Sequence, residues 1–167
     1  LTNSYWLSSR GGSTAWRVGG GSDAADDVAI DRDKGLVVTV RDGEGAQTIV
    51  VKGTVSTQDM EQVVVSNGYT LAASPFPVPI ALDDCGLLES GFVGGSNLVS
   101  SDNLLFYSAQ TNYFETKIWY DSDGSIWRNA DTTAADRQLQ PGEAFLIKRR
   151  NRASSMTWTN ACPYSLP

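Results

Sequence analysis

The sequence predicts an all-β protein, built as a sandwich or as two joined β-subdomains with an internal repeat, and one short helix near residues 82–90. Three observations carry this prediction. Apolar residues alternate with period two in one short segment after another, the pattern of half-buried strands. Gly, Asn, Asp and Ser cluster between those segments, where turns need them. And two nineteen-residue stretches, GLVVTVRDGEGAQTIVVKG at 35–53 and GEAFLIKRRNRASSMTWTN at 142–160, follow one plan. Each begins on Gly, runs through an apolar strand to a basic residue, crosses a polar turn and returns through a second strand, so each reads as a hairpin.

The repeat extends upstream. With Gly35 on Gly142, Val38 and Val40 fall on Phe145 and Ile147, and Arg41 falls on Lys148. Trp16-Arg17 corresponds to Trp127-Arg128, and Ala24-Ala25-Asp26 to Ala134-Ala135-Asp136. YWLSSRGGSTAWR at 5–17 corresponds to IWYDSDGSIWR at 118–128, which sets Trp6 on Trp119. Gly11-Gly12 and Asp123-Gly124 supply the turns. The repeated unit therefore spans 5–53 and 118–160, the copies differing by loop insertions, which cost little.

Between the copies lies 54–117. Strands at 63–66 and 69–73 flank Asn67-Gly68, a hairpin signal. The prolines of SPFPVPIAL, at 75, 77 and 79, suit an edge or crossing segment. LDDCGLLES at 82–90 is the short helix, and DNLLFYSA and YFETKIWY return to strand. This divides the chain into a partial β-repeat over 1–53 and a complete unit over 54–167, packed separately or as one compact domain. The N-terminal copy has no counterpart of 54–117 ahead of it. A sheet short of strands has open edges that pair with other chains.

The segments NGYTLAASPFPVP (67–79), Trp127-Arg128 and LQPGEAFLIKR (139–149) resemble a group of secreted, β-rich paralogous proteins of verrucomicrobial type. The resemblance covers 54–160 and, more weakly, 5–53. It implies export and a β-rich fold, and it brings no activity and no catalytic residues.

Composition narrows the chemistry. The chain has 167 residues, 13 basic against 19 acidic, for a net charge of −6. An acidic chain is a poor nucleic-acid binder, and the one basic run, from Lys148 to Arg152, reads as a solvated turn. No apolar run is long enough to span a membrane as a helix. The sequence opens on Leu1-Thr2-Asn3 without Met, which reads as a processed chain. Histidine is absent, which removes Ser-His-Asp and Cys-His catalysis and His-ligated metals. The paired carboxylates Asp26-Asp27 and Asp83-Asp84, with Glu143, leave a glycosidase-type pair as a remote option. DSDGS at 121–125 lacks the further ligands of a calcium loop and reads as a turn. No cofactor is implied. Cys85 and Cys162 are the only cysteines. In an exported chain a disulfide is the default, contributing about 4.5 kcal/mol on the chain-entropy view, the alternative being two buried free thiols.

The expected function is a non-catalytic, exported structural protein that self-assembles by strand addition into an extracellular filament or surface layer, its partners being copies of itself. The assembly residues are Leu1, Asn3, Tyr5 and Leu7, which share one face of the first strand, with Pro163 and Tyr164 in the tail. The alternative is a carbohydrate-binding module with Trp6, Trp16, Trp119 and Trp127 as its glycan platform, although residues kept in both copies read first as core.

Overall fold

A computed structural model describes residues 4–8, 14–29, 36, 38–40, 43, 45, 48, 50, 55–150 and 152–165. The chain forms two compact units, one through Asp31 and one from Arg32 onward. The boundary expected at 53 lies outside the described residues.

The first unit holds β1 (Tyr5–Ser8) and β2 (Ala15–Val18), an antiparallel pair. The second holds β3 (Met60–Val64), β4 (Gly68–Ala73), β5 (Ile80–Ala81), β6 (Asn103–Ser108), β7 (Tyr113–Asp121), β8 (Ile126–Asn129), β9 (Gln138–Leu139), β10 (Ala144–Arg149) and β11 (Met156–Asn160). All strand pairing between these elements is antiparallel. One sheet has five strands in the order β4-β10-β6-β7-β8; β3 pairs with β11, and β5 with β9. None closes into a barrel. The short helix expected near 82–90 is a single 3-10 turn, Leu82–Asp84, followed by turns to Gly91.

The five-stranded sheet and the β3–β11 pair supply opposite walls of one core. Ala72, Leu104, Phe106, Ile118, Trp127, Phe145 and Ile147 come from the first, and Met60, Val64, Met156 and Trp158 from the second. Phe145 meets Trp158 at 5.8 Å between ring centroids, and Trp158 Nε1 donates to the Cys85 carbonyl at 2.7 Å.

Two expected hairpins are corners instead. β3 pairs with β11 and β4 with β10, so the strands flanking Asn67-Gly68 enter different sheets. The same holds for β10 and β11, the strands of 142–160. An apolar alternation fits a ladder and an arch equally well, because both aim one face inward. Here the arch wins because the faces of Phe145 and Trp158 meet across the core. The counterpart at 35–53 falls largely outside the described residues.

The basic run is not a solvated turn. Asp102, fully buried, accepts from Arg149 Nε (3.3 Å) and the Val93 N–H (3.0 Å) on Oδ2, and from Arg152 Nε (2.9 Å) and the Arg150 N–H (3.1 Å) on Oδ1. Arg150 Nη2 reaches Asn103 Oδ1 at 3.0 Å. The arginines are spent on the start of β6. A buried carboxylate persists only with such partners, and stranding its cations is costly. Replacing Asp102 by Ala should destabilise the second unit by about 3–5 kcal/mol, read from urea unfolding followed by tryptophan fluorescence and far-UV circular dichroism; a change within experimental error would disprove this role.

Candidate assembly site

The internal repeat is written in the backbone. In the first unit Trp6 lies opposite Arg17 and Leu7 opposite Trp16. In the second, Trp119 lies opposite Arg128 and Tyr120 opposite Trp127. After each hairpin the chain turns back to cap the outer edge of its second strand. Ala25 N–H donates to the Trp16 carbonyl at 2.8 Å, and Ala135 N–H to the Trp127 carbonyl at 2.9 Å. Arg17 Nη1 donates to the Ser22 carbonyl, as Arg128 Nη1 does to the Thr132 carbonyl at 3.0 Å. The repeated Trp-Arg and Ala-Ala pairs therefore encode one device: a hairpin with a self-capped edge.

The copies differ on the opposite edge. β7 is covered there by β6, through Asn103–Trp119 and Leu104–Ile118 pairing, and by Gly95, whose N–H donates to the Tyr120 carbonyl at 3.0 Å. β1 has no backbone partner on that side among the described residues. Which groups face outward follows from the ladder. Gly19 N–H bonds the Ser4 carbonyl at 2.7 Å, and bonded pairs alternate along antiparallel strands. Tyr5 and Leu7 therefore turn their N–H and C=O away from β2, onto the open edge.

The faces differ too. Tyr5, Leu7, Trp16 and Val18 share one face of the first hairpin. Their counterparts are Ile118, Tyr120, Trp127 and Asn129; Ile118 and Trp127 are buried in the core, and Tyr120 packs against it. In the first unit this face is exposed, 53% at Leu7 and 46% at Trp16. A core-type surface stands without a core.

Of the sequence-derived assembly residues, Tyr5 and Leu7 fall at this edge and face. Leu1 and Asn3 lie outside the described residues. Pro163 is exposed, whereas Tyr164 is turned inward: its hydroxyl donates to the Ser56 carbonyl at 2.6 Å and its ring meets Phe76 edge-on at 6.0 Å. The four tryptophans form no common platform. Trp119 and Trp127 are each buried at 3% exposure, Trp127 within the core cluster and Trp119 on the other face of the β7–β8 pair. Trp6 and Trp16 are exposed, but they point to opposite faces of their hairpin. The sequence points to an edge at the first strand, because its copy has no counterpart of 54–117 ahead of it; which backbone groups face outward is legible only in the pairing of β1 with β2 and of its counterpart β7 on both sides.

The carboxylates have structural duties. Asp26 Oδ1 accepts the Trp16 N–H at 2.8 Å, and Glu143 binds Arg137 beside the positive-φ turn at Gly142. Asp83, Asp84 and Glu89 rim a depression open to solvent, with Ser90, Thr157 and Thr159. DSDGS is a turn: Asp121 Oδ1 accepts the N–H groups of Asp123 and Gly124, and Oδ2 binds Arg128 Nε at 2.6 Å. Among the described residues no cluster of ligating side chains suits a metal, and no helix is long and apolar enough to cross a membrane.

The expected disulfide is not formed; both thiols are free. Each is committed locally. Cys85 is buried, and its Sγ donates to the Leu82 carbonyl at 3.0 Å. Cys162, half-buried, donates to the Tyr164 carbonyl at 3.1 Å. Comparison of the chain with protein-family models, curated proteins and solved structures finds no match.

Two predictions follow from these geometries. Burial pushes the Cys85 thiol up to about 12, so it stays protonated near neutrality and unreactive. Iodoacetamide at pH 8 should leave Cys85 unmodified in the native protein and label it only after unfolding, as peptide mass spectrometry would show; rapid native labelling would contradict this. The side-chain hydrogen bond from Arg128, then the Gly124 N–H, hold Asp121 below the usual carboxylate range. A depressed carboxylate contributes stability above its unfolded value, and that stability is lost as pH falls through the lower folded value. Unfolding midpoints measured from pH 7 to pH 2 should therefore fall more steeply in the native chain than in Asp121→Asn; parallel curves would refute the assignment.

Proposed function

We propose that this protein is a non-catalytic structural subunit that self-associates by strand addition at β1, acting outside the cell in a filament or surface layer. One observation carries the reading: the β1–β2 hairpin bears an open backbone edge and an exposed core-type face at positions whose counterparts in β7–β8 are paired and covered. An extended strand laid on such an edge gains main-chain hydrogen bonds, and pockets for alternate side chains give it selectivity. Side chains of the added strand would also meet Tyr5 and Leu7 as cross-strand neighbours on the exposed face. The edge strand is short, but Tyr-Trp-Leu-Ser carries neither the charge nor the proline that commonly protects an edge. The extracellular setting rests on composition and on the resemblance to secreted paralogues.

Leu7→Pro tests this directly. It removes one outward N–H and leaves the β1–β2 ladder bonds untouched, and proline is tolerated on edge strands. Native chains should form regular assemblies by negative-stain electron microscopy and oligomers by light scattering, while Leu7→Pro stays monomeric with its second unit folded. Native chains that remain monomeric at high concentration would overturn the reading.

A further inference from the structure

We propose that the other face of the β1–β2 hairpin binds a hexuronate unit, a sugar ring that carries a carboxylate. Arg17 is its anion partner, Trp6 its stacking surface and Ser8 a hydroxyl ligand. The site does not rest on the self-association proposed above, which uses the open edge of β1 and the face of Tyr5 and Leu7.

The two copies of the hairpin carry the argument. In the second, Trp119 lies directly opposite Arg128, and Asp121 shares their face two residues beyond Trp119. Arg128 Nη1 is tied to the Thr132 carbonyl at 3.0 Å, and its Nε meets Asp121 Oδ2 at 2.6 Å. In the first, Trp6 lies directly opposite Arg17, whose Nη1 is tied to the Ser22 carbonyl. The place of Asp121 is taken by Ser8. Arg17 makes no other side-chain hydrogen bond and no ion pair among the described residues. The same guanidinium is thus tethered in the same way, and only one copy supplies its carboxylate from within.

The first hairpin has a pocket at this place, of about 220 Å³, lined by Trp6, Ser8, Arg17, Gly21 and Ser22. A tight turn builds it. Gly20 takes a φ of 80°, Gly21 N–H returns to the Val18 carbonyl at 3.1 Å, and Ser22 is brought back to Arg17. Ser8 is 3% exposed and lines the pocket, yet its hydroxyl has no hydrogen-bond partner among the described residues. A buried hydroxyl left so is costly, and a ligand oxygen in the pocket satisfies it.

Each wall selects one feature of the ligand. The guanidinium fork matches a carboxylate. The indole of Trp6, 42% exposed, offers a flat apolar surface for the C–H face of a pyranose ring. Ser8 Oγ exchanges hydrogen bonds with a ring hydroxyl. No lining side chain is acidic, so the carboxylate enters without a like charge in the pocket wall. Sites for drug-sized ligands start at about 300 Å³, and this smaller one suits a single sugar ring.

Saturation-transfer NMR and isothermal titration of the full chain with glucuronate, glucose and acetate test the site, and both read binding whether or not the chains assemble. Glucuronate should bind, with saturation reaching its ring protons. Glucose and acetate should each bind about tenfold more weakly or worse, because each lacks one of the two main contacts. Ser8→Asp rebuilds the internal ion pair of the second copy and should abolish glucuronate binding. Arg17→Gln and Trp6→Ala, which place no new charge in the pocket, should each weaken it by about tenfold or more. Acetate binding as tight as glucuronate would overturn the sugar, and glucose binding as tight would overturn the role of Arg17. Glucuronate binding that survives both Ser8→Asp and Arg17→Gln, or no binding by the native chain, would overturn the site. None of these outcomes bears on assembly at β1, which Leu7→Pro reads separately.

Discussion

A carboxylate with no exposure sits at the entrance to β6, and much of the second unit is arranged around it. A carboxyl group buried there needs hydrogen-bond donors, and Asp102 has four: two guanidinium groups and two backbone N–H groups. They come from three places, the end of β10, the turn beyond it and the segment at Val93. One side chain therefore fixes the height of β6 against β10, pins the corner that carries the chain to β11, and holds the loop that packs Phe92 on Trp127 at 5.3 Å. With β6 placed, its other edge takes β7, and Ile118 and Trp127 are driven into the core. Ion pairs of this kind contribute little net stability against an apolar replacement. What this one contributes is position.

The same logic explains the contrast between the two copies of the hairpin. Each closes its own second edge with a return through paired alanines, a purely local device that needs only the Trp-Arg and Ala-Ala residues. Neither can close its first edge alone. In β7 that edge is closed by β6, a strand brought from elsewhere in the sequence and anchored by Asp102. The first unit has the local device and no described strand in the role of β6. A two-stranded hairpin is marginal in water by itself, and one whose apolar face is exposed has more to gain from a partner than from isolation.

The sequence reads clearly wherever a feature is local. The Trp6/Trp119 and Trp16/Trp127 correspondences, the turn at Asp123-Gly124 and the strand at 144–149 follow from periodicity and turn chemistry, and the structure keeps the first two in matching register. Long-range features are hidden. Nothing in the run from Lys148 to Arg152 reveals that Asp102, far away in sequence, pairs with Arg149 and Arg152. Periodicity does not separate a hairpin from an arch, so β3–β4 and β10–β11 read as ladders when they are corners. Cysteine counting suggested a bridge between Cys85 and Cys162, but a disulfide requires Cβ vectors that converge, and these two thiols each turn to a carbonyl in their own turn. The tryptophan platform is hidden for a related reason: the residues are legible in the sequence, whereas the packing of Trp127 on Phe92 and Tyr120 is long-range or cross-strand.

An unprotected strand edge is ordinarily a liability, because any extended chain can join it. Selectivity then has to come from somewhere other than the hydrogen bonds, which are the same for every sequence. Here the selective element is the face. Tyr5, Leu7, Trp16 and Val18 present aromatic and branched side chains on one face, and a strand with apolar residues on the matching side continues that face without placing a charge beside it.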